Sequence, residues 1–304
     1  MLNLFQHLIH EIPKQVRNDC HNILIMKINQ ITSYLESIAP LSLQEEYDNS
    51  GLLIGNEESE VTGALICLDC SEDVLDEAIK KNCNLIIAHH PIIFKGLKKI
   101  TGSNYVERVV EKAIRNNISV YAIHTNLDNV PQGVNKKICD KLGLTNCKIL
   151  VPRESSPFTP SKGGQTVGAG MIGTLAKPTT ELSFLIKVKK MMRAGSLRHT
   201  QLLNKKVTKV AVCGGSGSFL LSEAIRQRAD VFITADFKYH QFFDGENKLV
   251  IADIGHYESE QFTKELLRDL LMEKFSIFAP RFKKGEKKIP LLLSAINTNP
   301  INYL

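Results

Sequence analysis

Leu85-Ile86-Ile87-Ala88 is a short apolar run that ends on His89-His90-Pro91. Neighbouring side chains on a strand point to opposite faces, so two adjacent imidazoles do not belong inside a buried strand. They fit where a strand stops and spills into a loop, a stop that Pro91 favours. The same grammar recurs along the chain. Ser119–Ile123 runs into His124-Thr125-Asn126-Leu127-Asp128, Val231–Thr234 into Ala235-Asp236 with His240 beyond, and Leu249–Ala252 into Asp253-Ile254-Gly255-His256. Of the nine histidines, three (His7, His10, His21) lie near the amino terminus and only His199 falls outside this pattern. Ligands of α/β proteins bind at strand ends, so the fold to expect is one that gathers several such ends into a shared site.

The segments between the apolar runs support that expectation. Met26 to Ser37 has helical apolar spacing and is ended by Ala39-Pro40. Ser71 can cap a helix whose first turn holds Glu72 and Asp73 and whose buried face is Val74, Leu75, Ala78 and Ile79. Further helices are expected at Tyr105–Asn116, Leu182–Met192, Phe219–Arg228 and from His256 onward, with strands at Gly63–Leu68, Leu85–Ala88, Ser119–Ile123, Lys209–Cys213, Val231–Thr234 and Leu249–Ala252. Strand–helix alternation predicts an α/β protein: two interlinked lobes with mixed, largely parallel sheets flanked by helices. The first lobe is placed at 26–150 and the second at 151–304, its last helix returning ligands to a shared cleft. Pro152–Gly170 reads as a long loop or linker. Residues 1–25 lack a helical stripe and are no secretory signal, so they read as a disordered extension or as preceding a natural start at Met26.

Composition narrows the function classes. With 304 residues the chain can bury a large core, and 43% hydrophobic with 23% charged residues is the balance of a soluble globular protein. No apolar run approaches the ~20 residues that span a bilayer. The net charge of +6 is mild, and the basic run Arg281–Lys288 reads as a solvated loop, not a nucleic-acid surface. The seven cysteines form an odd, dispersed set that fits a reducing cytoplasm. Cys67-Leu68-Asp69-Cys70 reads CxxC but closes a strand with no second pair beside it, so these are expected to be packing residues.

His256 and Glu260 are four residues apart at a helix start and share one face, whereas Glu258 is expected to face solvent. With His89, His90 and Asp128 they make three imidazoles and two carboxylates. That exceeds one closed tetrahedral site and suits two metals sharing a carboxylate and water. Mixed imidazole and carboxylate ligands accept Zn, Mn, Fe, Co or Ni. His124 and His240 are candidates either for proton transfer or for hydrogen bonds that orient a ligand; Asp69 and Asp236 are weaker candidates at their strand ends. Gly214-Gly215-Ser216-Gly217 matches neither GxGxxG nor GxxxxGK[ST] and is expected to be a tight strand-to-helix turn, with phosphate contact as the other use of such a loop.

Ala88-His89-His90-Pro91-Ile92-Ile93-Phe94, His124-Thr125-Asn126-Leu127-Asp128 and Gly255-His256-Tyr257-Glu258-Ser259-Glu260 resemble three signatures of the Nif-three-like dinuclear-metal family, whose members are often labelled GTP cyclohydrolase I type 2 homologues. Tyr47-Asp48-Asn49-Ser50-Gly51-Leu52 resembles its amino-terminal motif. The resemblance covers Met26 to about Leu304 and implies two divalent ions on His89, His90, Asp128, His256 and Glu260, a two-lobed subunit and a ring-shaped homohexamer. Longer members carry an inserted domain for which Val151–Val207 leaves no room. The expected function is a metal-dependent hydrolase in which a metal-bound hydroxide attacks a cyclic amidine, amide or phosphoester of a small molecule, such as a nucleotide or heterocycle. Two other classes stay open: a metal-handling protein, and an interaction scaffold whose metals fasten the lobes.

Overall fold

The computed structural model describes residues 26–153, 166–275, 278 and 289–304. The extension 1–25, the centre of the 152–170 stretch and the basic run 281–288 lie outside the described residues. The amphipathic start forms helix α1 (Ile28–Ile38), with Ile28, Ile31 and Leu35 fully buried. Four apolar runs then give β1 (Gly51–Ile54), β2 (Ala64–Cys67), β3 (Leu85–Ala88) and β4 (Ser119–Ala122), with α2 (Glu72–Lys80) and α3 (Tyr105–Arg115) between them. Ser71 Oγ caps α2 and Asn104 caps α3, each accepting a backbone N–H three residues on.

The second half contains α4 (Thr125–Asp128), α5 (Val134–Leu142), β5 (Leu144–Pro152), β6 (Gly168–Thr180), α6 (Glu181–Met191), β7 (Arg198–His199) and β8 (Lys206–Ser216). It continues through α7 (Leu221–Arg226), β9 (Val231–Ala235), β10 (Val250–Asp253), α8 (His256–Glu260), α9 (Thr263–Lys274) and β11 (Leu291–Leu293). One sheet has the order β1-β4-β3-β2-β11, the other β5-β6-β8-β9-β10-β7. In the first, β4, β3, β2 and β11 are parallel and β1 is antiparallel; in the second, β8, β9 and β10 are parallel and the rest antiparallel. The mixed α/β fold expected from the alternation is therefore present, largely parallel in the first sheet and with a parallel centre in the second.

The sheets divide the chain elsewhere than at 150/151. The second sheet already opens at Leu144, and β11 returns to the first by pairing with β2. Part of the expected 152–170 loop is also strand: β5 and β6 pair through Val151↔Ala169 and Pro152↔Gly168. Glycines disguised this hairpin. A Cβ on Gly168 would lie 2.1 Å from the Val151 carbonyl oxygen, and one on Gly173 2.8 Å from Cys147 Sγ. These are strand positions where a neighbour approaches too closely for a side chain.

Strand alternation sorts the core. Ala64 and Ile66 of β2, with Leu85 and Ile87 of β3, join Val212 and Ile233 of the second sheet in one shared core. Leu65, Cys67, Ile86 and Ala88 face the other way, under α2 and α3. Cys67 and Cys70 are buried and free, and burial pushes the Cys70 thiol up to about 12, as suits packing cysteines. Among the described residues no helix is long and apolar enough to cross a membrane. Sharing one core holds the two sheets so that the carboxyl ends of β2, β3, β4, β8, β9 and β10 open onto one cleft.

Candidate metal centre

Four histidines meet in that cleft, and all four are held in the same way. His89 Nδ1 donates to the Ile123 carbonyl at 2.8 Å, His90 Nδ1 to Asp69 Oδ1 at 2.7 Å, His124 Nδ1 to Asp48 Oδ1 at 2.8 Å and His256 Nδ1 to Asp236 Oδ2 at 2.7 Å. A carbonyl or carboxylate can only accept, so every ring has Nδ1 engaged and presents Nε2 to the cluster. A partner on the far nitrogen is what orients metal-ligating histidines. His89 and His90 are fastened by extending the ladder past β3, His89 N donating to Cys67 O and His90 N to Leu68 O.

Glu260 is the hub. Its Oε2 lies 2.9 Å from His90 Nε2 and 3.0 Å from His256 Nε2, while Oε1 lies 3.8 Å from His89 Nε2. Asp128 Oδ1 also stands 3.8 Å from His89 Nε2. Both His89 Nε2 and Asp128 Oδ1 are buried and find no hydrogen-bond partner among the described residues. A separation of 3.8 Å is too long for a hydrogen bond. Two ligands of one ion, each about 2.0–2.2 Å from it, stand roughly 3–4.3 Å apart. Among the described residues, donor atoms within 4.8 Å of one another form three overlapping groups that could hold an ion: His89/Asp128/Glu260, His90/His256/Glu260 and His89/His90/His124. The first two share Glu260, and each supplies the imidazole and carboxylate donors that a metal ion takes.

The electrostatics agree. Burial alone would raise Glu260, yet the charge of His256 and hydrogen bonds from His256 and His90 hold it well below the usual carboxylate range. Burial works against a charged imidazole, but Asp69 and Glu260 push His90 up to about 10, and Glu260 and Asp236 push His256 up to about 11. Burial, reinforced by the Glu260 charge, raises Asp128 to about 7. So many buried carboxylates demand positive charge, which either protons on the imidazoles or metal cations satisfy.

Local sequence explains the tight fit. Gly255, at φ +92°, turns the chain into α8. Gly215, at φ +62°, lies so close that a Cβ there would sit 2.5 Å from Glu260 Oε1. The first two N–H groups of the glycine loop are thus not free to cradle an anion. Gly214 and Gly215 remain in β8, and their N–H groups donate to Asn135 Oδ1 and Ser259 Oγ at 3.0 and 2.9 Å. Glu258 departs from expectation as well: it is buried beneath Gly255 and accepts from Asn299 Nδ2 at 3.0 Å.

His89, His90, Asp128, His256 and Glu260 therefore converge, and His124 joins them. Asp69 and Asp236 hold His90 and His256 in place. His240 does not join. It lies exposed in the 3₁₀ turn Tyr239–Gly245, its ring 5.1 Å from Tyr239 and 6.4 Å from Phe243, because that turn carries it away from the end of β9. Two participants were not picked out from sequence. Asp48, named only within the Tyr47–Leu52 motif and given no role, receives His124, Asn49 N, Thr125 N and the Thr125 hydroxyl. Thr298, in the carboxyl-terminal segment, donates to Asp69 Oδ2 at 2.6 Å and so steadies the carboxylate that holds His90.

Comparison with known proteins agrees with this architecture. A "GTP cyclohydrolase 1 type 2 homolog" of Clostridium acetobutylicum is 37% identical over 236 residues, covering 77% of this chain and 85% of that protein. One of Staphylococcus epidermidis is 31% identical over 374 aligned positions, covering 91% of this chain and all of the relative, which holds segments with no counterpart here. The crystal structure of a Bacillus cereus protein related to NIF3 superposes with a TM-score of 0.82 at 28% identity, covering 92% of this chain and 99% of that one. A Staphylococcus aureus hypothetical protein superposes with a TM-score of 0.82 at 34% identity, covering 92% and 100%. The family model described as Duf34/NIF3 (NGG1p interacting factor 3) matches residues 26–286, and the chain belongs to that family.

Proposed function

We propose that the cleft holds two divalent ions and that the protein is a metal-dependent hydrolase of a small molecule with a cyclic amidine or amide bond. The observation that carries this reading is the buried, unpartnered pair His89 Nε2 and Asp128 Oδ1, set 3.8 Å apart beside a carboxylate shared with His90 and His256. His89, Asp128 and Glu260 would hold one ion; His90, His256 and Glu260 the other. Bound there, the ions would polarise a substrate oxygen and lower the pKa of a water molecule toward neutrality.

The protein's own groups manage the proton. His124 Nδ1 is tied to Asp48, which its bonds to His124 and Thr125 keep ionised against the effect of burial. His124 Nε2 is thus left as an acceptor at the cavity wall, where it takes a proton from water and returns it to the leaving nitrogen. Asp48 stabilises the imidazolium between those events. The relatives' cyclohydrolase name supports a cyclic amidine or amide. So does the cavity wall, where no lysine or arginine stands among the described lining residues to receive a phosphate chain.

Elemental analysis of gently purified protein should give two ions per chain, and Glu260→Ala should lower that content. One ion per chain in excess Zn or Mn would reject the dinuclear site. Turnover of a panel of cyclic amides, nucleotides and heterocycles should fall roughly 10²–10⁴-fold in His124→Gln with metal content unchanged. If nothing is turned over and the ions pass readily to an apo-acceptor, the protein handles metal instead. A homohexamer belongs to the same proposal.

A further inference from the structure

The wall around the cluster is aromatic. Tyr47 and Phe94 stack with ring centroids 6.3 Å apart and planes 19° from parallel. Phe94 also meets His124 edge-on at 5.9 Å. Both rings keep much of their surface open, 65% for Tyr47 and 44% for Phe94. Tyr105 lines the same cavity, of about 530 Å³, and Phe219 faces it from the second sheet's side. Single exposed aromatics are ordinary, but several gathered around a buried polar cluster are the composition of a ligand pocket.

The stacked pair is also built in. Asn49 Nδ2 donates to the Ile93 carbonyl at 2.6 Å, tying the Tyr47 loop to the segment that carries Phe94. Asp48, between Tyr47 and Asn49, holds His124 and Thr125. One short loop therefore fastens a ring wall and a proton-carrying histidine to each other. Two stacked rings offer a flat apolar face; His124 offers an acceptor at its edge.

We propose that Tyr47 and Phe94 form a stacking platform for a flat nitrogen heterocycle of the nucleobase or pteridine class, whose polar edge points to His124. This names the substrate class of the site proposed above and rests on that reading for its reaction, though not for binding. Stacking on such a wall contributes about 1–3 kcal/mol per base by alanine substitution.

Calorimetric titration of the metal-loaded full chain tests it, with guanosine and pterin as probes and dihydrouracil and ribose as non-aromatic controls. The two heterocycles should bind and the controls should bind far more weakly. Tyr47→Ala and Phe94→Leu should each weaken the heterocycles by roughly 5–150-fold, the range that stacking energy gives. Tyr47→Phe should keep the parent affinity, and metal content should be unchanged in all three variants. The proposal is overturned if neither heterocycle binds at millimolar concentration, if the controls bind as well, or if Tyr47→Ala and Phe94→Leu change nothing. Ring-dependent binding without turnover of any heterocycle would keep the platform and remove the hydrolase reading. Hydrolysis of dihydrouracil untouched by Tyr47→Ala would do the reverse.

Discussion

Gly215→Ala tests the centre without removing any of its ligands. Gly215 has φ +62°, and the added methyl would lie 2.5 Å from Glu260 Oε1 and 3.2 Å from His256 Cε1, where ordinary contact begins at 3.4 Å. Two effects should separate. The left-handed backbone costs an alanine about 1–2 kcal/mol wherever it occurs, which lowers the melting temperature by a few degrees. The collision is specific to this site. Glu260 is 2% exposed and held through its other oxygen by His90 and His256, so it cannot swing into solvent. It must shift by most of an ångström, out of register with His89 and Asp128. Disturbing even the partners of a metal ligand costs roughly 10–100-fold in affinity, and moving the shared ligand itself should cost at least that much. Gly102→Ala is the control, with φ +72° and no atom closer than 3.6 Å. Competition titration against a chromophoric chelator, paired with melting curves in excess chelator, reads both quantities. Gly102→Ala should lose stability alone; Gly215→Ala should lose stability and metal affinity together. Parent-like affinity in Gly215→Ala would refute the placing of Glu260 at the centre.

The remaining expectations concern the surroundings of the site. Thr298→Val removes the bond that steadies Asp69 behind His90, so metal affinity measured by the same titration should drop about 10-fold or more and return in Thr298→Ser. Glu107 accepts the backbone N–H groups of Thr101 and Ser103 and both their hydroxyls, and these bonds lower its pKa from the ordinary 4.5 to about 2. A depressed folded-state pKa adds stability that is complete above the unfolded value and disappears as pH falls through the folded one. Between pH 4.5 and 2, then, the parent should lose its advantage over Glu107→Gln in acid melting curves, and a difference that is constant with pH would argue against this role. His240→Gln, remote from the cavity, should leave turnover and metal content alone, and a loss of either would return His240 to the site. A chain starting at Met26 should melt and bind metal like the full chain and, by light scattering, give an assembly near six times the subunit mass; a monomer would end the hexamer proposal.

Local patterns determined the parts of this protein that depend only on neighbours along the chain. The continuous apolar runs of β2, β3 and β4, the cap at Ser71 and the i,i+4 pairing of His256 with Glu260 are set by neighbours along the chain, so they were legible, and with them five converging candidate ligand residues. Tertiary structure decided what depends on distance through space. Asp48 meets His124 across 76 positions and Thr298 meets Asp69 across 229, and no local periodicity encodes either meeting. Nor could a pattern tell that Gly215 makes room for a carboxylate, that the glycines of β6 hide a strand, or that a 3₁₀ turn carries His240 away while its strand-end companions converge. A strand end in the sequence names a residue able to reach a site. Only the shared core between the two sheets sets which of those ends arrive within ligand distance of one another.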